Sequence, residues 1–538
     1  MLASRRHVRS GVLLGTAALL IGCGVTDVET LVVSNESDLI VENIDPPFSE
    51  ADPELVPEPT TDPGAAPVDD SAGDTPLVPD DAMGTETPET PEIDPADIDP
   101  NAIDFGPAKP EREYDDFLLA SLADIERWLQ SEFEPAFGFP YEPLQGGVYA
   151  GYPGRNDIPG CGGGPFTDYD LLQRAVAFYC PLGDFVAYDD GDTSLLTDLA
   201  SQFGPATIGI VLAHEYGHAI QQRTGALRQN LPTVVTEQQA DCIAGAWAGR
   251  AAAGQASGVP FNDNDIRAGL IAMIRVQDPV GADPTAPGAH GSGFDRVGAF
   301  QEGFNGGLAR CAPLVDEPLP LTPLQFLPGS LDFVNQGNAP YGYDADPNNP
   351  QLFSFLIPDL NAYWDEQLDA QFPNFNPITV VPVQSAAEIV CDQPRGYATF
   401  GMELCAETST VFVIDPIMRS VYDTQGDFGP GYLLGIVWAE AAQISNQSPA
   451  AGEGRQLRND CLVGSWVDTL IPDPTTGQLP APRPESRTAS VSPGDLTEAV
   501  LTAIAIGDRT ADSDVLGSAF EKVDAFRIGA LTGLGACG

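Results

Sequence analysis

The sequence predicts an α+β fold, helix-rich with small sheets, stapled by disulfides and present twice in tandem. Three observations carry that expectation. Apolar residues recur at helical spacing in stretches such as "FLLASLADIERWLQSEF" (117–133), while short apolar runs such as "DFVAYDD" and "TVFVIDP" read as strands. Blocks of the first half return in the same order in the second. "FGPATIGIVLAHEYGHAIQQ" (203–222) lies over "FGPGYLLGIVWAEAAQISNQ" (428–447), "ADCIAGAW" (240–247) over "NDCLVGSW" (459–466), and "GSGFDRVGAFQEGFNGGLARC" (291–311) over "GSAFEKVDAFRIGALTGLGAC" (517–537). Finally, four cysteines stand at corresponding places in each half, and 538 residues are too many for one ordinary core.

In chain order, residues 1–22 read as a secretory signal: Arg5, Arg6 and Arg9, an apolar run from Val12 to Ile21, then Gly22 and Cys23. Leu20-Ile21-Gly22-Cys23 resembles the bacterial lipobox. That resemblance implies cleavage before Cys23, lipidation of its thiol and an extracytoplasmic, membrane-anchored chain. Residues 23–111 are rich in Pro, Asp, Glu and Thr and read as a disordered, self-repelling tether. A first folded copy is expected over 112–311, a linker over 312–350 and a second copy over 351–538. Of nine cysteines, setting Cys23 aside leaves eight, an even number that suits an oxidising compartment. The economical pairing, repeated in each copy, is Cys161–Cys180, Cys242–Cys311, Cys391–Cys405 and Cys461–Cys537. A net charge of −54 argues against nucleic acid as a partner, because phosphates are repelled. The Asp-rich stretches "YDDGDTS" and "YGYDADPNN" fit no calcium-loop spacing and read as solvated acidic loops.

Chemistry concentrates in "VLAHEYGHAIQQ" (211–222). The chain has four histidines, and two of them, His214 and His218, stand one helical turn apart here. On a helix running from Pro205 to Gly225 both imidazoles project from one face, the spacing needed to hold one zinc ion. Glu215 then lies beside the open side of the metal, where it can take a proton from bound water. A catalytic zinc needs a third protein ligand, and Glu237, on the next helical stretch "TEQQADCIAGAWAGRAAA", is the natural one. Asp241, one turn further, is cast as the acceptor of a ligand histidine's distal N–H. His290 has two open readings: a donor to the oxyanion formed as water attacks a peptide carbonyl, or a loop histidine packed against glycine.

The second half acts as an internal control. In register, His214 falls on Ala439, Glu215 on Glu440, His218 on Gln443, Glu237 on Gln456 and His290 on Leu516. Cysteines, glycines, Asp460 and Trp466 are kept. Groups needed for folding persist while groups needed for metal do not, the expectation for a metal-free, degenerate copy.

Taken together, Cys161, "AFYCP" (177–181), "HEYGH", "EQQADCIAGAW" (237–247), "HGSGFDRVGAFQEGF" (290–304) and Cys311 resemble the bacterial neutral zinc metallopeptidases. The resemblance implies a zincin-like fold of the gluzincin type, with His214, His218 and Glu237 as zinc ligands and Glu215 as general base. It spans nearly all of the first copy and, in decayed form, the second. The leading expectation is therefore a lipid-anchored peptidase acting on a peptide or protein substrate. The alternatives are a surface binding protein with a structural zinc, and a peptidase inactive until its tether or second copy moves.

Overall fold

The computed structural model describes residues 21–23, 93–161, 169–322, 326, 338–366, 372–395, 397–472, 479, 487–507 and 516–538. The signal residues before Ile21 and the tether residues 24–92 lie outside these. Among the described residues no helix is long and apolar enough to cross a membrane.

Helix α1 (Asp115–Phe137) buries Phe117, Leu118, Leu122, Ile125 and Leu129, the stripe read from its spacing, and ends where Gly138 turns left-handed at φ 83°. A small sheet follows, built from β2 (Gly147–Gly151), β3 (Ala177–Cys180) and β4 (Phe185–Asp189), with a short edge strand β1 (Ile21–Cys23). The order is β1-β3-β4-β2; β4 runs parallel to β2 and antiparallel to β3. Every residue of β3 and β4 is buried, which is why "AFYC" and "FVAYD" carry no polar alternation. Beyond α2 (Tyr169–Ala175) and α3 (Leu195–Phe203) come α4 (Ala206–Thr224), α5 (Thr233–Ala252), α6 (Asp263–Arg275) and α7 (Gly293–Cys311). Helix α4 is buried on all sides from Ala206 to Gln221, so it forms the centre of this half rather than a surface helix.

The second half runs α8 (Leu352–Glu366), β5 (Thr379–Val383), β6 (Met402–Cys405), β7 (Thr410–Ile414), α9 (Asp415–Gln425), α10 (Phe428–Ser445), α11 (Gly452–Asp468), α12 (Pro493–Ile506) and α13 (Ala519–Thr532). Its sheet has the order β5-β7-β6, β7 parallel to β5 and antiparallel to β6. That is the arrangement of β2, β4 and β3. Tertiary contacts correspond as well. Trp247 Nε1 donates to Asp124 at 3.2 Å, and Trp466 Nε1 donates to Asp359 at 2.9 Å. A Cβ on Gly245 would meet Phe300 O at 1.9 Å and one on Gly464 would meet Phe526 O at 2.0 Å, so α5–α7 and α11–α13 cross equally closely. The four disulfides join Cys161 to Cys180, Cys242 to Cys311, Cys391 to Cys405 and Cys461 to Cys537.

Three boundaries differ from the expectation. Folded structure is already present from Ile93 rather than 112: Ile103 is buried, Asp104 bridges to Tyr149, and Lys109 pairs with Asp190 at 3.1 Å. The Pro- and Asp-rich composition hid these few anchoring groups. The "YDDGDTS" loop is correspondingly not solvated at Asp190, which is buried against Lys109, Arg112 and the Tyr114 hydroxyl, so its charge is already balanced. The linker too is partly packed, with Leu314 buried and the Thr322 hydroxyl donating to Asp295 at 2.6 Å.

Candidate metal centre

Helices α4 and α5 meet at Gly217, between the two histidines. A Cβ there would stand 2.7 Å from Ala240 Cα, so only glycine lets α5 approach closely enough to face the imidazoles with Glu237. The approach brings His214 Nε2 to 3.2 Å from one Glu237 oxygen and His218 Nε2 to 3.4 Å from the other. Ligand atoms bound to a tetrahedral zinc at about 2.0–2.2 Å stand roughly 3.3 Å apart, so each imidazole is at a ligand-to-ligand spacing from the carboxylate. His214, Glu215, His218 and Glu237 are all 0% exposed.

Partners behind the rings set their tautomers. His214 Nδ1 lies 2.8 Å from Asp241 Oδ1; the carboxylate can only accept, so Nδ1 donates. His218 Nδ1 lies 3.0 Å from Gln221 Oε1, whose amide nitrogen is committed to Thr236 O, so this Nδ1 donates as well. Both Nε2 lone pairs therefore face Glu237. Burial, opposed by the nearby Glu237 charge, pushes His218 down to about 4, so its ring is neutral at physiological pH, as a metal ligand must be. Burial raises Glu237, but the neighbouring His218, His290 and His214 outweigh it and hold the carboxyl below its ordinary range. His218 Nε2 and both Glu237 oxygens make no hydrogen bond among the described residues. Buried polar atoms without one are costly, about 1–3 kcal/mol each, and a cation satisfies all three at once.

Asp241 is itself clamped. Arg296 on α7 reaches it twice, Nε to Oδ2 at 3.0 Å and Nη2 to Oδ1 at 2.7 Å, while its Nη1 donates to Val276 O. Burial would raise the Asp241 pKa, yet Arg296 and then His214 hold it below the ordinary value, so it stays a carboxylate. His290 is buried on the loop before α7. Asp278 Oδ2 accepts its backbone N–H and that of Gly291, both at 2.8 Å, and Asp278 Oδ1 lies 3.5 Å from its Nδ1.

The structure thus brings together His214, His218, Glu237 and Asp241, with Glu215 buried on α4 beside the first histidine and His290 buried on the loop before α7. Three contributors escape a reading of the sequence: Arg296, Gln221 and Asp278. Gln221 could have been found as the residue one turn beyond His218. Arg296 and Asp278 reach the site only through tertiary packing.

Three curated relatives, an uncharacterized protein of Mycobacterium bovis and one from each of two Mycobacterium tuberculosis strains, are each 36% identical to the chain over 152 residues, covering 24% of this chain and 52% of the relative. The chain spans about half the length of the curated relatives it matches. No solved structure matches it. Residues 173–313, which carry all of these groups, match the family described as "Putative neutral zinc metallopeptidase".

Proposed function

We propose that the first half is a zinc-dependent peptidase, anchored by lipid outside the cytoplasm, and that residues 351–538 are a degenerate copy without metal ligands. The observation that carries the reading is the convergence of two imidazoles and one carboxylate in one buried place, with a glutamate directly after the first histidine. A zinc ion held by His214, His218 and Glu237 would polarise the scissile carbonyl and acidify water. Glu215 is the residue that would accept a proton there and return it to the leaving amine. His290, oriented by Asp278, donates toward the oxyanion that forms on the carbonyl. Asp241 and Arg296 keep His214 in the tautomer that leaves Nε2 unprotonated.

The lipobox-like Leu20–Cys23 and the even cysteine set support the anchored, extracytoplasmic placement. Cleavage before Cys23 would remove most of β1 and leave β2, β4 and β3, the strand set that the second half has.

The test is zinc content of the protein beside H218A and E215Q, with casein cleavage on the same samples. One zinc per chain, lost in H218A and kept in E215Q while cleavage disappears, is expected. Absence of zinc from the wild-type protein would overturn the reading. A second reading, a surface binding protein with a structural zinc, draws on the complete burial of the donor set. It is favoured instead if zinc is stoichiometric and E215Q changes nothing measurable.

A further inference from the structure

The two halves touch through corresponding elements. Helix α6 packs on α13, and α12 packs on α7. The block containing 291–311 aligns with 517–537, so Gln301 corresponds to Arg527 and Phe294 to Phe520. Gln301 Nε2 donates to Phe520 O at 3.2 Å; reciprocally, the Arg527 guanidinium lies over the Phe294 ring, 4.8 Å from its centroid. Arg527 Nη1 also donates to Gln301 Oε1 at 3.2 Å. A contact between two corresponding residues, flanked by reciprocal contacts, is what a local twofold axis produces, and it makes the interface isologous. The arrangement is that of a homodimer written into one chain.

The axis lies against the metal site's own support. Gly298, on α7 two residues beyond Arg296, has no room for a side chain because Arg527 occupies that space: a Cβ would lie 1.8 Å from Arg527 Nη2. Phe304 and Phe520 close the interface with ring centroids 4.3 Å apart. Helix α7 carries Arg296, Arg296 fixes Asp241, and Asp241 fixes His214.

We propose that the second half is a built-in dimer partner that fits the α6–α7 face of the first, and that Arg527 is a positioning residue which sets His214 through α7, Arg296 and Asp241. The inference rests on the zinc reading of the site. Its test uses the full chain and the variants R527A, R527Q and V411A, the last a core change in β7 away from the interface. Two quantities are measured: zinc affinity by competition with a chelator, and amide exchange along α7. R527A is expected to weaken zinc about 10-fold, the low end of the loss seen when a ligand's hydrogen-bonding support is disturbed, and to speed exchange in α7. R527Q, which keeps an amide donor for Gln301, is expected to restore zinc affinity to within about 2-fold of wild type on the same scale. V411A is expected to lower thermal stability without moving the zinc constant. Unchanged zinc affinity and unchanged α7 exchange in R527A overturn the proposal. If the wild-type chain binds no zinc, the metal reading fails separately, and the exchange measurement alone decides whether Arg527 holds α7.

Discussion

The two halves place the same helix pair around opposite solutions to one electrostatic problem. In the first, α4 and α5 point two imidazoles and Glu237 at a common buried point with no cationic side chain among them. In the second, Ala439, Gln443 and Gln456 stand in those places, and the remaining acid, Glu440, is held by Arg455 Nε at 2.9 and 3.0 Å. Gln443 bonds Asn459 and Arg455 O, and Gln456 accepts from Tyr397. Asp460 pairs with Lys522 and the Tyr432 hydroxyl where Asp241 pairs with Arg296 and His214. Even the close helix approach changes, because Gly217 becomes Ala442. The lesson is that a side-chain cation and amide hydrogen bonds stand in the second half where the first places its imidazoles and Glu237.

The sharpest way to break the comparison is to make one substitution in both halves. E215Q is expected to lower kcat by about 10²- to 10⁴-fold with zinc retained, the range for loss of a general base. E440Q, at the matching position, is expected to leave kcat within about 2-fold and to weaken stability by roughly 1–3 kcal/mol, since Arg455 loses its charged partner. Steady-state kinetics and urea unfolding read both. An equal loss of kcat from the two variants would mean that the second half is not a degenerate copy.

The paired aspartates sharpen it further. D460N leaves Lys522, 2% exposed, without its counter-charge, and breaking a buried pair of this kind costs about 3–5 kcal/mol. D241N is expected to act on metal instead, weakening zinc about 10- to 100-fold as His214 loses its anionic partner. Chelator competition and thermal unfolding separate the two effects.

How much of this could be read from residues alone follows from the range of each interaction. His214 and His218 share a helix, and Glu237 and Asp241 share the next, so helical periodicity exposed both pairs. The cysteine pairing was legible because the chain repeats itself, which reduced the possible connectivities to one economical pattern. Arg296 was quoted within a motif but had no role, because it lies 55 residues from Asp241 and meets it only when α7 packs on α5. The ordered stretch from Ile93 was missed for a related reason. Its few anchors, Asp104 and Lys109, find their partners at Val148–Tyr149 and Asp190, and composition carries no trace of those pairings. Local patterns reveal elements; convergence of distant elements has to be seen.

The smallest expected effect concerns a cluster that, among the described residues, the second half has and the first does not. Asp427, Asp495 and Glu498 lie together, whereas the register of the two halves puts Gln202 and Ala268 opposite Asp427 and Glu498. Burial raises all three; Asp427 is pushed up to about 6, and Glu498, with the Asp427 charge adding to burial, up to about 8. The folded chain therefore keeps protons that the unfolded chain releases near pH 4. Stability from this cluster is complete below that pH and is lost as pH rises through about 6 and then about 8, the direction linkage requires when the native state binds more protons. In the zinc-free chain, thermal unfolding should fall in Tm between pH 5 and 8. E498Q, nearly isosteric and uncharged, should flatten that slope and stabilise the protein at pH 8 by roughly 1–2 kcal/mol after allowance for partial exposure. The matching change in the first half, A268Q, brings in no titrating group and should leave the slope as it is. If the slope survives E498Q, Glu498 is not its source, and Asp427 and Asp495 or acids of the first half carry it.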